Sequence, residues 1–382
     1  MHIALFDYRV NTNNPIGSCH WRLLHNLSEK HQFTVFAVEF SNPDPSRIEW
    51  VRIPAPMRPL ALLFVVFHFL APLYYLAYRL RQRKRFDLIQ CVESNLSFAD
   101  VRYVHFCHQR YLRSHWQKSR PSGARRWGRW LDYKLHALAE SWFYRRVPRI
   151  VTPSLGLAQE LLEEYPFLLG RVEVVSNPVE VEQLRRPLDF DRDAHRQQLG
   201  LEDGSCVLAF IALGHFERKG LPAIIEAVSE VQDPSLKLLV VGGTEDQIRP
   251  YRAQAEAAGI GSQVLFVGMQ SDVRKYLWLS DAFILPSLYE TFSLVAYEAA
   301  AAELPLIVSR VHGVSEMAAD RENALLVEPN RESIAAALKV FMHLSEVGRS
   351  RMGSRARAAV LSFSPDAFVN NWSRFYECSP VV

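Results

Sequence analysis

VLAFIALGHFERKGLPAIIEAVSEVQDPSLKLLVVGG, residues 207–243, decides the fold. Val207 to Leu213 is apolar at every position, the pattern of a strand covered on both faces rather than one. Gly214 and the charged loop through Gly220 end it, and residues near 220–231 carry apolar side chains at helical spacing. LKLLVVGG (236–243) then returns as a second fully apolar strand. A helix between two buried strands implies a parallel pair. The series continues with a helix near 245–258, VLFVG (264–268), AFILPS (282–287), LPLIVS (304–309) and ALLVEP (324–329). Together these make a doubly wound α/β domain.

The N-terminal half repeats the pattern with HIALFDY (2–8), FTVFAVEF (33–40), FDLIQCVE (86–93), VRYVHFC (101–107), RIVTPS (149–154) and VEVVSN (172–177). It reads as a second Rossmann-like sheet. Between the halves, a polar stretch with Pro187 and DFDRD (189–193) has no apolar period. The acidic run is no calcium loop, because Ala194 and Gly200 fall at its sixth and twelfth positions. The expected organisation is an N-terminal domain at 1–178, a linker at 179–196 and a C-terminal domain at 197–362. Ligands of such sheets bind at the carboxyl ends of the strands, so two sheets facing each other would place a site in the cleft between them.

The composition agrees with two folded domains: 382 residues, 49% hydrophobic and 22% charged. Cys19, Cys91, Cys107, Cys206 and Cys378 are odd in number and scattered, so neither a disulfide framework nor a C-x-x-C zinc site is expected. A buried strand from His2 leaves no room for a signal sequence, and a reducing cytoplasm is the expected location. Two segments point toward a membrane surface. Residues 60–78 are apolar enough to raise a span, yet Pro72 and His68 interrupt them and Arg79, Arg81, Arg83, Lys84 and Arg85 follow, which suits a helix lying on a bilayer or packed in a core. From Arg110 to Arg149 eleven Lys and Arg stand against Asp132 and Glu140 alone, interleaved with Trp116, Trp127, Trp130 and Trp142. Such a surface fits anionic lipid better than nucleic acid; a solvated charged face with tryptophans packed inward is the plainer alternative.

The chemistry is concentrated in PSLYETFSLVAYEAAAAELP (286–305). Glu290 follows a buried strand and precedes a helix, and Glu298 stands eight positions on, inside that helix. A carboxylate accepts two hydrogen bonds in a fork, which suits vicinal hydroxyls of a sugar or a ribose. The second stretch is ALGHFERKGLPAIIEA, where Arg218 and Lys219 on a strand-to-helix loop offer positive charge to a leaving diphosphate. These residues resemble glycosyltransferase family four, the retaining GT-B enzymes marked by an E-x7-E pair. The likeness extends to Gly313 and Glu316, to NALLVEP, and to Ser176 through Pro178. The R-K-G loop is similar to that of lipopolysaccharide-core glycosyltransferases, with Gly214-His215 where many members have Gly-Arg.

The resemblance implies a GT-B fold, two Rossmann-like doubly wound domains, with a helix at about 363–378 packing back on the N-terminal one. It implies that Glu290 holds hydroxyls of the transferred sugar and Glu298 the ribose. Arg218 and Lys219 would stabilise the departing diphosphate, and Gly17, Gly214, Gly243, Thr291, Phe292, Ser293 and Leu294 would line the donor. A histidine after the fourth N-terminal strand touches the donor sugar in the family; His105 is the first choice, with His108 and His215 in reserve. The reaction implied is transfer of a hexosyl unit from a nucleotide diphosphate sugar to a hydroxyl of a glycan or lipid-linked acceptor, with retention, no metal and no cofactor, by a cytoplasmic enzyme peripheral on an anionic membrane. The rival readings are a GT-B sugar-nucleotide epimerase and a nucleotide-sugar binder that has lost catalysis; turnover with an acceptor separates them from a transferase.

Overall fold

Two all-parallel sheets organise the protein in a computed structural model that describes residues 1–12, 14–119 and 125–378. The chain divides into two compact units, one formed by Met1–Gln117, residues 125–178 and the C-terminal helix Pro365–Glu377, the other by Val179–Ser364.

Unit 1 carries seven strands: β1 (His2–Val10), β2 (Gln32–Phe40), β3 (Ile48–Arg52), β4 (Leu88–Val92), β5 (Val101–Tyr103), β6 (Arg149–Thr152) and β7 (Val172–Val174), in the order β3-β2-β1-β4-β5-β6-β7. All pairings are parallel. Side chains alternate across a strand, so β1 feeds two layers. Ile3 and Leu5 join α1 (Pro15–Leu27) and the C-terminal helix on one face. Ala4 and Phe6 join α2 (Leu60–Gln82) on the other. The C-terminal helix contributes buried Phe368, Trp372, Phe375 and Tyr376 to the first layer. A third helix, α3 (Arg125–Tyr144), packs on α2, with Phe64 and His136 ring centroids 4.4 Å apart.

Unit 2 has six strands: β8 (Cys206–Ile211), β9 (Leu236–Val241), β10 (Val264–Gly268), β11 (Ala282–Leu285), β12 (Leu306–Ser309) and β13 (Ala324–Val327), ordered β10-β9-β8-β11-β12-β13 and again parallel throughout. Every residue of β8 and β11 is buried, as their unbroken apolar runs require. Its helices include α4 (Leu221–Val231) after β8 and α5 (Leu294–Ala301) after β11.

Three sequence expectations need correction. The stretch 179–196 is no free linker: Val179, Val181 and Leu184 lie in the core of unit 2, and Asp191 caps a helix at Arg192–Gln198. Arg192 and Arg196 of that helix both pair with Asp281, at 2.6 and 2.8 Å. Isolated apolar residues too sparse to form a period anchor it. The strand expected over 101–107 stops at Tyr103, so His105 stands beyond it. An edge strand, β3, was missed because it is five residues long and only Ile48 is fully buried. Trp372→Ala, which empties a fully buried site between the C-terminal helix and β1, should cost about 3–5 kcal/mol in urea unfolding; a loss under about 1 kcal/mol would show that this helix is not part of the core.

Candidate active site

In unit 2 the strand order reverses between β8 and β11, whose connections leave toward opposite edges of the sheet. An opening at the carboxyl ends of such a pair is where ligands of open α/β sheets bind. Lys219 comes from the loop after β8 and Glu290 from the loop after β11, and they meet there, Nζ to Oε1 at 2.6 Å. Their side chains are 14% and 8% exposed, so the pair is largely out of water. Ser287 donates a further hydrogen bond to the same carboxylate oxygen at 2.9 Å. Burial alone would raise the Glu290 carboxyl; Lys219 and then Arg218 outweigh it and hold the group below its usual range. Glu290 is therefore a charged acceptor at neutral pH, with Oε1 held by both Lys219 and Ser287.

The two loops are held together by backbone. Leu288 N–H donates to the Arg218 carbonyl at 2.8 Å. Gly220 has φ +84, and a Cβ there would stand 2.4 Å from the Pro286 carbonyl oxygen, so only glycine lets the loops approach this closely. His215 lies in the same loop with φ 59, its carbonyl accepting from Lys219 N–H. Gly214 borders the Gln247 amide, and Gly243, beyond β9, borders the Phe216 ring.

Thr291, Phe292 and Ser293 lead from Glu290 into α5, which begins at Leu294. The Phe292 ring stacks on Tyr297 at 4.2 Å, and Tyr297 in turn donates to the Gly313 carbonyl at 2.8 Å. Gly313 has φ +77, and a Cβ there would come within 2.4 Å of Phe292 Cα, so this segment is braced from behind. Ser293 is left-handed at φ 66, and its buried hydroxyl has no hydrogen-bond partner. Glu298, one turn into α5, is half-buried and makes no ion pair or side-chain hydrogen bond among the described residues. Burial pushes its carboxyl up to about 7. Two carboxylates thus differ sharply: Glu290 is ionised and paired, Glu298 unpaired and near neutrality.

The remaining expected residues belong to unit 1. Gly17 sits in the first turn of α1, and its N–H donates to Asn14 Oδ1 at 3.0 Å, so that donor is spent on the helix cap. His105 is 7% exposed, its ring tilted against Tyr103 with centroids 4.0 Å apart and no hydrogen-bond geometry at either ring nitrogen. Burial, with His20 nearby, pushes it down to about 3, so its imidazole is neutral. His108 differs, with Nδ1 2.6 Å from Glu140 Oε1. Within unit 2 the structure therefore brings Arg218, Lys219, Glu290 and the 291–294 segment into one site; within unit 1, His105 and His108 differ from each other in their hydrogen bonding. Sequence reasoning missed Ser287, and in unit 1 a buried relay in which Asp7 pairs with His20 at 2.9 Å, His20 meets Gln90 at 3.0 Å, and Tyr376 donates to Gln90 at 2.7 Å. The relay joins residues up to 286 positions apart, and no local pattern marks it.

Comparisons with known proteins place both units. Residues 19–183 match the model of Glycosyltransferase Family 4, and residues 191–359 that of Glycosyl transferases group 1. An uncharacterized glycosyltransferase of Methanocaldococcus jannaschii is 25% identical over 80% of this chain and 79% of its own length. The D-inositol 3-phosphate glycosyltransferase of Corynebacterium glutamicum is 31% identical over 57% of this chain, and the match spans only 54% of that protein. Among solved structures, WaaG, a glycosyltransferase involved in lipopolysaccharide biosynthesis, superposes with a TM-score of 0.76 at 17% identity, covering 99% of this chain and all of that one. Anabaena HepE in complex with UDP-glucose gives 0.73 at 16% identity, with 99% and 100% covered. With a family model on each half and these folds matching end to end, the chain belongs to the glycosyltransferases of GT-B type.

Proposed function

We propose that the chain transfers a hexosyl unit, with retention of anomeric configuration, from a nucleotide diphosphate sugar to a hydroxyl of a glycan or lipid-linked acceptor in cell-surface polysaccharide or glycolipid synthesis. The observation that carries this reading is the buried pair of Lys219 and Glu290 between the carboxyl ends of β8 and β11, with unpaired Glu298 on the following helix. HepE, of like fold, was solved with UDP-glucose, which supports a nucleotide-sugar donor and makes a uridine nucleotide the first to test.

In this reading Arg218 and Lys219 face the diphosphate, where charge grows as the glycosidic bond breaks; losing one such contact costs roughly 2–4 kcal/mol of transition-state stabilisation. Glu290 accepts from hydroxyls of the sugar, which positions the anomeric carbon, and Glu298 accepts from the ribose. The backbone amides at the start of α5 and the Ser293 hydroxyl lie beside them as further donors. Because two side-chain cations serve the leaving group, the step needs no metal at the diphosphate and no cofactor. The departing phosphate oxygen takes the acceptor proton on the same face, so no protein nucleophile is required. His105 is assigned to the donor sugar as a neutral imidazole, whereas His108 Nδ1 is held by Glu140.

We place the enzyme peripherally on the cytoplasmic face of an anionic membrane. Supporting this, α2 buries Leu63, Phe64, Phe67, Ala71 and Tyr75 yet leaves Leu62, Phe69, Leu73, Leu76 and Leu80 exposed, so it is apolar all round. Its neighbour α3 exposes Trp127, Trp130 and Trp142, with Arg126 over Trp127 and Arg146 over Trp142. Tryptophan and arginine together suit the headgroup region. Arg125 was expected to share this role; its side chain, like residues 120–124, lies outside the described residues.

A donor at 100 times its dissociation constant stabilises by about 2.7 kcal/mol, so a thermal-shift panel of UDP-, GDP-, ADP- and dTDP-sugars should single out one nucleotide, and Lys219→Ala should lose that shift. No shift from any donor would count against these four nucleotides as donors, and nucleotide binding without release of nucleotide diphosphate when acceptors are supplied would favour the inactive binder. A second expectation concerns pH. Glu298 ionises at about 7 when folded against 4.5 ordinarily, so the folded chain holds a proton that the unfolded chain has released between those values. Its contribution is present below pH 4.5 and is lost as pH rises through 7, and Glu298→Gln should flatten that slope by on the order of 1–3 kcal/mol; identical urea-unfolding profiles for both proteins would rule this out. Finally, Phe69→Asp with Leu76→Asp should reduce flotation with phosphatidylglycerol vesicles at least about tenfold, since a charge replaces each buried apolar contact. Unchanged flotation of this variant, or no flotation of the wild type, would remove the membrane from the proposal.

A further inference from the structure

Helix α3 buries a polar stripe alongside Ala137, Phe143 and Tyr144. Asp132, His136 and Glu140 recur every four residues on its buried side, while Trp127, Trp130, Leu131, Leu138 and Trp142 face outward. The buried stripe meets Glu93, just after β4, and His108, beyond β5. His108 Nδ1 is taken by Glu140 at 2.6 Å, and His136 Nδ1 by the Ser94 hydroxyl at 2.9 Å. Each imidazole therefore keeps Nε2 for something else. His108 Nε2 lies 3.9 Å from Glu93 Oε2, and His136 Nε2 lies 4.0 Å from Asp132 Oδ1. These gaps are too long for hydrogen bonds. Glu93, His108 and His136 each place one ligating atom within 4.8 Å of the others, near enough that a small closing movement of the side chains would set each about 2 Å from one shared ion.

Two further observations point the same way. The Tyr8 hydroxyl is buried without a hydrogen-bond partner, and Glu93 and Asp132 are the charged groups that act on it most. Glu93, Asp132 and Glu140 are also buried together; Arg102 is spent on the carbonyls of Glu93 and Leu96, which leaves His108, and at Asp132 also Arg129, to offset three carboxylates. Gathering carboxylates out of water is costly unless positive charge accompanies them.

We propose that Glu93, His108 and His136 bind a divalent transition-metal ion, Zn²⁺ by the donor set, with Asp132 and the Tyr8 hydroxyl beside it. Two imidazole nitrogens with a carboxylate select such an ion over Mg²⁺ or Ca²⁺, which take oxygen ligands. Glu140 on His108 Nδ1 is the carboxylate that orients a metal-bound histidine and fixes its tautomer. The ion would tie the segments after β4 and β5 to α3, at the carboxyl edge of the unit 1 sheet. The inference does not depend on the proposed reaction.

The test is metal content and Zn²⁺ titration of the full-length chain. Purified without chelator, the protein should hold close to one equivalent of zinc by mass spectrometry, and the stripped protein should take up Zn²⁺ in competition with a chromophoric chelator. Glu93→Gln and His136→Gln, checked for native circular dichroism, should weaken uptake about 100-fold or more, and Glu140→Gln by about 10–100-fold. Zinc-edge X-ray absorption on the wild type gives a readout independent of how the variants fold, and should show two imidazoles among nitrogen and oxygen ligands. Failure of the wild type to bind Zn²⁺ below about 10 μM, an absorption spectrum lacking two imidazoles, or folded variants that bind as tightly as wild type would each overturn the proposal, the cluster then being a proton-sharing network.

Discussion

A lysine and a glutamate held 2.6 Å apart and nearly out of water are the interaction on which unit 2 depends. Neither charge could be buried alone, because losing the partner of a buried pair strands an uncompensated ion. The pair therefore requires the loops after β8 and β11 to stay in register. Gly220 and the hydrogen bond from Leu288 to Arg218 maintain that register at the front, and Gly313 with the stacked Phe292 and Tyr297 supports it from behind. Parallel strands supply the frame, since a reversal of strand order leaves the two loops diverging around an opening.

The two carboxylates of the E-x7-E pair show how environment divides labour between identical side chains. Glu290 is ionised because Lys219, Arg218 and Ser287 together overcome its burial. Glu298 has no such partners, and burial alone moves it toward neutrality. The first stays charged at neutral pH, while for the second a hydrogen-bond donor brought to the carboxylate would favour ionisation.

Unit 1 uses the same sheet architecture with a different distribution of polarity. Its carboxyl edge buries histidines and carboxylates, and α3 turns its polar stripe inward to meet them. Ala137, Phe143 and Tyr144 of α3 are buried beside that stripe, while Trp127, Trp130 and Trp142 stay at the surface. Beside it α2, apolar on every side, covers the sheet with one face and leaves the other uncovered. Both features have one physical source: polar groups are placed where the sheet edge needs them, and apolar groups where a further surface could take them.

Much of this was legible along the chain. Unbroken apolar runs such as Val207 to Ile211 determined buried parallel strands, because only a sheet covered on both faces tolerates them. The spacing of Glu290 and Glu298, and the Arg218-Lys219-Gly220 loop, marked the candidate donor residues because each is local in sequence. Where the apolar signal was thin it misled: 179–184 packs in the core through three scattered residues, and β3 is an edge strand with little to bury. Tertiary structure alone decided which charges meet. That Lys219 pairs with Glu290, that Glu298 pairs with nothing among the described residues, and that Glu93, His108 and His136 converge from three elements are facts of strand order and loop geometry. Local sequence sets the period of burial, but contacts between distant residues depend on how the sheet brings its carboxyl ends side by side.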